Sequence, residues 1–191
     1  MRKAITFMEF PYNRMCMVDL LDETEEIKWK ILDYHNQPFV LSKIVDGRPF
    51  TAEGHAEFLK VLPTLKRKQY ILYLDGREIG KLSWTPDDNG KVLRDAGYFL
   101  FHEEDLMSGI GILMSGFLHH YIFDVLKIEK MESYANLSNT NSIGVLKKFG
   151  NQVVKQDDKF MYFEGTADDF HRVSDDIDAL LSCFFDRATS F

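Results

Sequence analysis

The sequence predicts a single mixed α/β (α+β) domain, and three observations carry that prediction. Of the 191 residues, 45% are hydrophobic and 14% aromatic, which fills one core and leaves room for a short appended segment. The middle of the chain alternates bulky and polar residues on both sides of Asp75-Gly76, the pattern of a β-hairpin. Segments with helical spacing precede, interrupt and follow the strand-like ones, and no internal repeat is visible.

Taken in order, "ITFMEF" and "CMVDLL" read as a short strand followed by a loop. "TEEIKWKILDYHN" carries Ile27, Ile31 and Leu32 at near-helical spacing until Gln37-Pro38 stops it. "TAEGHAEFLKVL" opens on a Thr N-cap and places Phe58, Leu59 and Leu62 on one side before Pro63, a second helix. The hairpin "QYILYLDGREIGKLSWTP" follows, and "DAGYFLFH" is the next strand. It leads into "GILMSGFLHHYIFDVL", a helix in which the adjacent His119 and His120 do not converge on a metal as an i, i+4 pair would. Ordinary helix-surface roles, one of the two facing solvent, are expected of them.

"KIEKMESYA" is another strand, "TNSIGVLKKFG" a short helix closed by Gly150, and "NQVVKQDDKFMYFEG" a last pair of strands around a polar turn. Residues 1–165 thus make one domain. Residues 166–191 form an amphipathic helical extension, with Phe170, Val173, Ile177, Leu180 and Phe184 as its apolar stripe. That stripe could cover its own domain or pack against a second copy in a homodimer.

Thirty acidic against 23 basic residues give a net charge of −7, and no Lys/Arg cluster is present to neutralise a phosphate backbone, so nucleic acid is excluded as a partner. Cys16 and Cys183 stand far apart without metal-ligand spacing, so neither a disulfide framework nor a metal site is expected. Glu9, Pro11 and Arg14 interrupt the N-terminus before an apolar run can develop, which points to a soluble cytoplasmic protein with no membrane partner.

The segment "LMSGIG" places Ser108 to Ile112 at the start of a helix, where the first N–H groups lack intrahelical partners. Gly109 and Gly111 would let an anion approach the backbone while the helix dipole favours its charge. A tight turn alone would account for the same glycines. The dinucleotide-binding form is disfavoured, because neither a third glycine nor a following acidic ribose partner is placed for it.

Several segments together resemble the GNAT superfamily of acyl-CoA-dependent N-acetyltransferases. In that family a strand leads to a Q/R-x-x-G-x-G/A turn, which "LMSGIG" matches except at Leu106. An N-x-x-[AS]-x-x-[LV]-[YL]-x-K-x-G-[FY] segment follows, and "NTNSIGVLKKFGN" matches it at Asn139, Ser142, Val145, Leu146, Lys148 and Gly150, with Asn151 in place of the aromatic. The resemblance implies a mostly antiparallel twisted sheet, splayed at the acyl-CoA site and flanked by helices. It implies acetyl-CoA as cosubstrate, held by Leu106, Ser108, Gly109, Ile110, Gly111, Ile112 and Asn139, with its pantetheine arm along Phe99, Leu100 and Phe101. Many relatives carry a tyrosine where this chain has Leu146; thiolate protonation then falls to water or to another hydroxyl such as Tyr134.

The N-terminal half is similar to the bacterial nucleotide-sugar acetyltransferases of the pseudaminic acid pathway, which acetylate the 4-amino group of a UDP-4-amino-4,6-dideoxy sugar. The matching segments are "ILDYHNQP", "EGHAEFL" and "IGKLSW", and the similarity runs over roughly residues 5 to 163. It implies Ser83 as a catalytic group and His35, Asn36, His55 and Phe58 as the acceptor pocket, with His35 replacing an arginine. Two other functions fit the same motifs: acetylation of protein N-termini, and a degenerate domain that binds CoA or serves as an interaction module through its C-terminal helix.

Overall fold

In the computed structural model, which describes residues 3–9, 11–44 and 47–188, eight strands form one sheet in the order β1-β2-β3-β4-β5-β6-β8-β7. β1 (Ala4–Thr6) and β2 (Met15–Asp19) are followed by helices α1 (Glu25–His35), α2 (Pro38–Leu41) and α3 (Ala52–Val61). A meander of β3 (Lys68–Leu74), β4 (Arg77–Pro86) and β5 (Val92–Leu100) leads to α4 (Ile110–His120). β6 (Lys130–Asn136), α5 (Thr140–Lys148), β7 (Gln152–Gln156) and β8 (Phe160–Thr166) come next, then α6 (Ala167–His171) and α7 (Ser174–Ala188). Among the described residues no helix is long and apolar enough to cross a membrane.

The arrangement is the expected α+β one, with one correction near the start. "CMVDLL", read as a loop, is most of β2, which pairs antiparallel with both β1 and β3. Met17 and Val18 are both buried although they point to opposite faces. The strand is covered on both sides, and the alternation that marks a half-buried strand is therefore missing.

Elsewhere the local signals act as read. The Thr51 side chain accepts a hydrogen bond from the Gly54 amide at 3.0 Å and so starts α3, and Thr24, a cap the spacing alone does not mark, does the same for α1 from the Ile27 amide at 3.3 Å. Asp75 and Gly76 both take positive φ, the geometry that joins β3 to β4 without splaying them.

The sheet opens between β5 and β6. Among the described residues this is its one parallel contact, and it is limited to Val92 opposite Lys130 and Leu93 opposite Met131. On its other side β5 pairs with β4 through Ser83–Gly97 and then Thr85–Arg94, so β5 contributes one residue more than its partner. The extra residue is a bulge, with Asp95 at φ 53. A bulge bends its strand, and here the bend carries residues 96–100 away from β6.

Helix α4 packs under the opened sheet, with Leu113, Met114 and Phe117 fully buried. Its two histidines depart from expectation, because neither is a surface residue. His119 is buried, its Nδ1 is 2.7 Å from the Ser115 carbonyl and its Nε2 is 3.1 Å from Asn151 Nδ2. A neutral imidazole satisfies both contacts, donating to the carbonyl and accepting from the amide. Burial holds its pKa down at about 4, against a small upward pull from the Ser115 carbonyl.

Unfolding therefore releases a histidine that takes up a proton between pH 6.5 and about 4, so its contribution to stability is lost as pH falls through that window. The expected slope is up to about 1.4 kcal/mol per pH unit. Denaturant titrations of the parent and of His119→Phe, repeated across that range, should show a shallower slope in the variant; equal slopes would refute the assignment.

His120 faces the C-terminal helices. Its Nδ1 is 2.7 Å from Asp124 and its Nε2 is 2.9 Å from Asp178, while Tyr12 donates to Asp178 and His171 Nε2 approaches Asp124 at 2.8 Å. Burial works to lower its pKa, but the two carboxylates outweigh burial and the net shift is upward.

The extension is two helices, and its buried row differs from the predicted stripe. Phe170, Ile177, Leu181 and Phe185 join the main core, whereas Leu180 and Phe184 are half exposed. The chain breaks helical register between α6 and α7, so the row that faces the core runs at four-residue spacing from 177 through 181 to 185. The extension thus packs on its own domain.

Candidate active site

Beyond β5 a short turn at Glu103–Asp105 precedes α4. Met107 and Gly109 both have positive φ, 64° and 86°, which turns the chain sharply into the helix. Gly109 is the N-cap and supplies no side-chain cap. The Gly109 and Gly111 amides make no hydrogen bond to any described residue. Two N–H groups at a helix N-terminus are left for an external acceptor, the anion-binding arrangement the sequence suggested.

This turn closes one end of a cleft of about 370 Å³ between β5 and α5, lined by Tyr98, Phe99, Leu100, Leu106, Gly109, Gly111, Ile112, Asn139, Ser142 and Val145. The Tyr98 hydroxyl donates to the Gly111 carbonyl at 2.7 Å and ties strand to helix across the cleft floor. Asn139 caps α5, its side chain accepting from the Ser142 amide at 3.3 Å, and also faces the cleft.

Three residues expected on this cleft lie elsewhere. Phe101 is fully buried and stacked on Tyr34 at 4.1 Å in a second, smaller core. Its backbone is also occupied, the N–H donating to the Ile79 carbonyl at 3.0 Å and the carbonyl accepting from the Gln37 side-chain amide at 2.9 Å, so neither is left for a pantetheine amide. The Ile110 side chain is in the main core, and the Ser108 hydroxyl donates to the Asp105 carbonyl at 2.7 Å while accepting from the Ile110 amide at 3.3 Å. Ser108 and Ile110 shape the turn without lining the cleft.

Adjoining it is a second cavity, of about 550 Å³, which shares Lys43, Ile44, Tyr98, Phe99, Asn139 and Ser142 with the first. It gathers Ser83 and Tyr134 with His35, His55 and Phe58, residues far apart in sequence. His35 is stacked on Phe50 at 3.7 Å, and burial, followed by the charge of Lys81, lowers its pKa, so it is a neutral ring at pH 7. His55 is fully buried, with Nε2 2.7 Å from the Lys28 carbonyl, and serves to pack α3 on α1. Asn36 does not line the cavity: its side chain exchanges two hydrogen bonds with the Phe50 backbone, at 2.8 and 2.9 Å, and so sets the ring that covers His35.

Sequence reasoning missed the charged wall of this cavity. Arg67 Nη2 donates to Ser83 Oγ at 2.8 Å, and Lys81 Nζ donates to Gln69 Oε1 at 2.8 Å while lying 5.3 Å from the Phe99 ring. Burial, with help from Arg67, pulls the Lys81 pKa down to about 8. Strand alternation could have found this group, since Lys81 and Ser83 are two apart on β4 and Gln69 sits directly opposite Ser83. Tyr134 is half exposed, its pKa raised by burial and then by Asp95. Leu146, at the position of the family's tyrosine, lines neither cavity.

No family model and no curated protein sequence matches the chain. Among solved structures, N-acetyltransferases share its fold. One such neighbour is the Campylobacter jejuni N-acetyltransferase PseH, which superposes with a TM-score of 0.63 at 16% identity over 80% of this chain and 98% of its own. A further structure of that protein holds acetyl coenzyme A. The aminoglycoside acetyltransferase AAC(6′)-Ib, in complex with coenzyme A and kanamycin, gives a TM-score of 0.65 at 20% identity over 78% and 95% of the two chains. These likenesses establish the fold; the chemistry rests on the site.

Proposed function

We propose that the chain is an acetyl-CoA-dependent N-acetyltransferase whose acceptor is an amine carrying negative charge, of the nucleotide-linked amino-sugar class. The observation that carries this reading is the meeting of two cavities at Lys43, Ile44, Tyr98, Phe99, Asn139 and Ser142, beside a sheet opened at β5. A thioester carried in from the turn side and an amine carried in from the other would meet there.

The pyrophosphate of CoA takes the free amides of Gly109 and Gly111, and the pantetheine amides pair with the backbone of β5 where β6 no longer does. The neutral acceptor amine attacks the thioester carbonyl. Backbone N–H groups on the open side of β5 meet the developing oxyanion. Collapse releases CoA thiolate and the acetamide; the amine proton leaves through water, and the thiolate regains one from water or from Tyr134. Ser83, whose oxygen already accepts from Arg67, keeps its own proton to donate and so orients the acceptor rather than acting as its base.

The acceptor's charge follows from the wall. Arg67 and Lys81 line the second cavity and Lys43 stands where it joins the cleft, against one lining carboxylate among the described residues, Asp95, which lies 3.9 Å from Arg67. Two cations held near each other are relieved by an incoming anion, and a polycationic aminoglycoside would meet repulsion. A diphosphate joined to an amino sugar has the required charge and amine.

Acetyl transfer followed by mass spectrometry, with a UDP-4-amino-4,6-dideoxy sugar and with kanamycin as acceptors, tests this. The nucleotide sugar should be the better acceptor, and kanamycin or a peptide N-terminus outpacing it would overturn the reading. Arg67→Ala should lower kcat/KM for the sugar nucleotide by about 10- to 100-fold, the worth of a charge-assisted hydrogen bond, with acetyl-CoA affinity unchanged.

A further inference from the structure

Helix α7 reaches the donor site as well as the core. Its buried residues Ile177, Leu181 and Phe185 and the Asp178 contacts with Tyr12 and His120 fix it against α4. At its C-terminal end the Phe184 ring lies against Gly109: a Cβ placed on that glycine would stand 3.0 Å from Phe184 Cε1. Phe184 is nevertheless 50% exposed, and Leu180, one turn earlier on the same helix face, is 49% exposed. A firmly held helix thus presents an aromatic ring to solvent at the turn with the free amides. Phe184 is not part of the cleft lining, so the ring meets the turn from outside the cleft.

An acyl-CoA lying in the cleft with its pyrophosphate on Gly109 and Gly111 must send its adenosine out past that turn. We propose that Phe184 is the stacking platform for the adenine of CoA, with Leu180 extending the apolar surface beneath it. This rests on the acetyl-CoA reading above and adds to it a contact from the C-terminal extension. Stacking suits the place: any adenine face will serve, the ring is held in position beforehand, and no hydrogen-bond partner is required.

Calorimetric titration of the parent, Phe184→Leu and Phe184→Trp with CoA and with 4′-phosphopantetheine, which lacks the adenosine, tests the proposal. Phe184→Leu keeps an apolar contact on Gly109 and should fold as the parent does, which its melting temperature checks. The leucine variant should bind CoA on the order of tenfold more weakly, bind 4′-phosphopantetheine as the parent does, and have its CoA affinity restored by tryptophan. Equal weakening toward both ligands would make Phe184 a brace of the turn, and unchanged or tighter CoA binding would remove it from the site; either overturns the platform while leaving the donor reading intact. A parent that binds neither ligand overturns both.

Discussion

Acetyl-CoA at a hundredfold excess over its dissociation constant raises the unfolding free energy by about 2.7 kcal/mol, and Gly111→Trp abolishes the rise. For a chain of this length the parent's midpoint moves up by roughly 5 to 10 °C. The variant is a fair test because Gly111 has an ordinary helical φ, and the nearest group to a Cβ there is the Tyr98 hydroxyl at 3.8 Å. An indole at this position enters the cleft instead of straining the fold, so the melting temperature without ligand should stay close to the parent's. A rise that survives the substitution puts the cofactor elsewhere, and no rise in the parent sinks the transferase reading in favour of a partner-binding module.

Phe170→Ala is expected to destabilise the protein by about 3 to 5 kcal/mol, the usual cost of emptying a buried phenylalanine site. Phe170 is 1% exposed and its ring lies 4.8 Å from His120, 5.4 Å from His119, 5.8 Å from Phe123 and 6.4 Å from Phe149. These contacts come from α4, its continuation and the end of α5, so the cavity would open where the extension joins the domain. The Thr166–Asp169 capping box that starts α6 fixes the entry angle of the ring and limits collapse around the void. Urea titration measures the loss; a cost under about 1 kcal/mol would mean that the extension is a loosely attached segment.

The sequence carries the order of elements well wherever the physical signal is local. The Asp75-Gly76 turn, the Thr51 N-cap and the Gly109 turn each depend on a few adjacent residues, and each was readable. β2 was not, because burial on both faces removes the alternation that identifies a strand. The row that α7 buries was misassigned for a related cause: one break in helical register at residues 172–173 shifts the inward face, and no local pattern announces it.

The site was legible in outline and less so in its working parts. Ser83, His35, His55 and Phe58 were assembled by resemblance and Tyr134 as a hydroxyl on the strand before α5, and the fold brings them around one cavity. Asn36 and His55 turned out to hold backbone, and Phe101, Ser108 and Ile110 to face away from the cleft, since the direction of a side chain depends on pairing that sequence does not state. Arg67 and Lys81 escaped notice because one looks like a solvated loop residue ahead of β3 and the other like a solvated strand residue, until β3 and β4 are laid side by side.

The parting of β5 from β6 also bears on where the domain keeps its unpaired backbone. Unpaired strand edges are templates for recruiting another chain, and proteins protect the ones on their rims. At the rim here, β7 is interrupted by a register shift between Val153 and Lys155, and Lys155 lies over the Tyr162 ring. The two edges created by the splay need no such disruption. Residues 96–99 of β5 and 134–136 of β6 line one cavity together with Arg67 and Lys81. The domain thereby keeps backbone groups open for recognition in its interior without presenting an adhesive border to its neighbours.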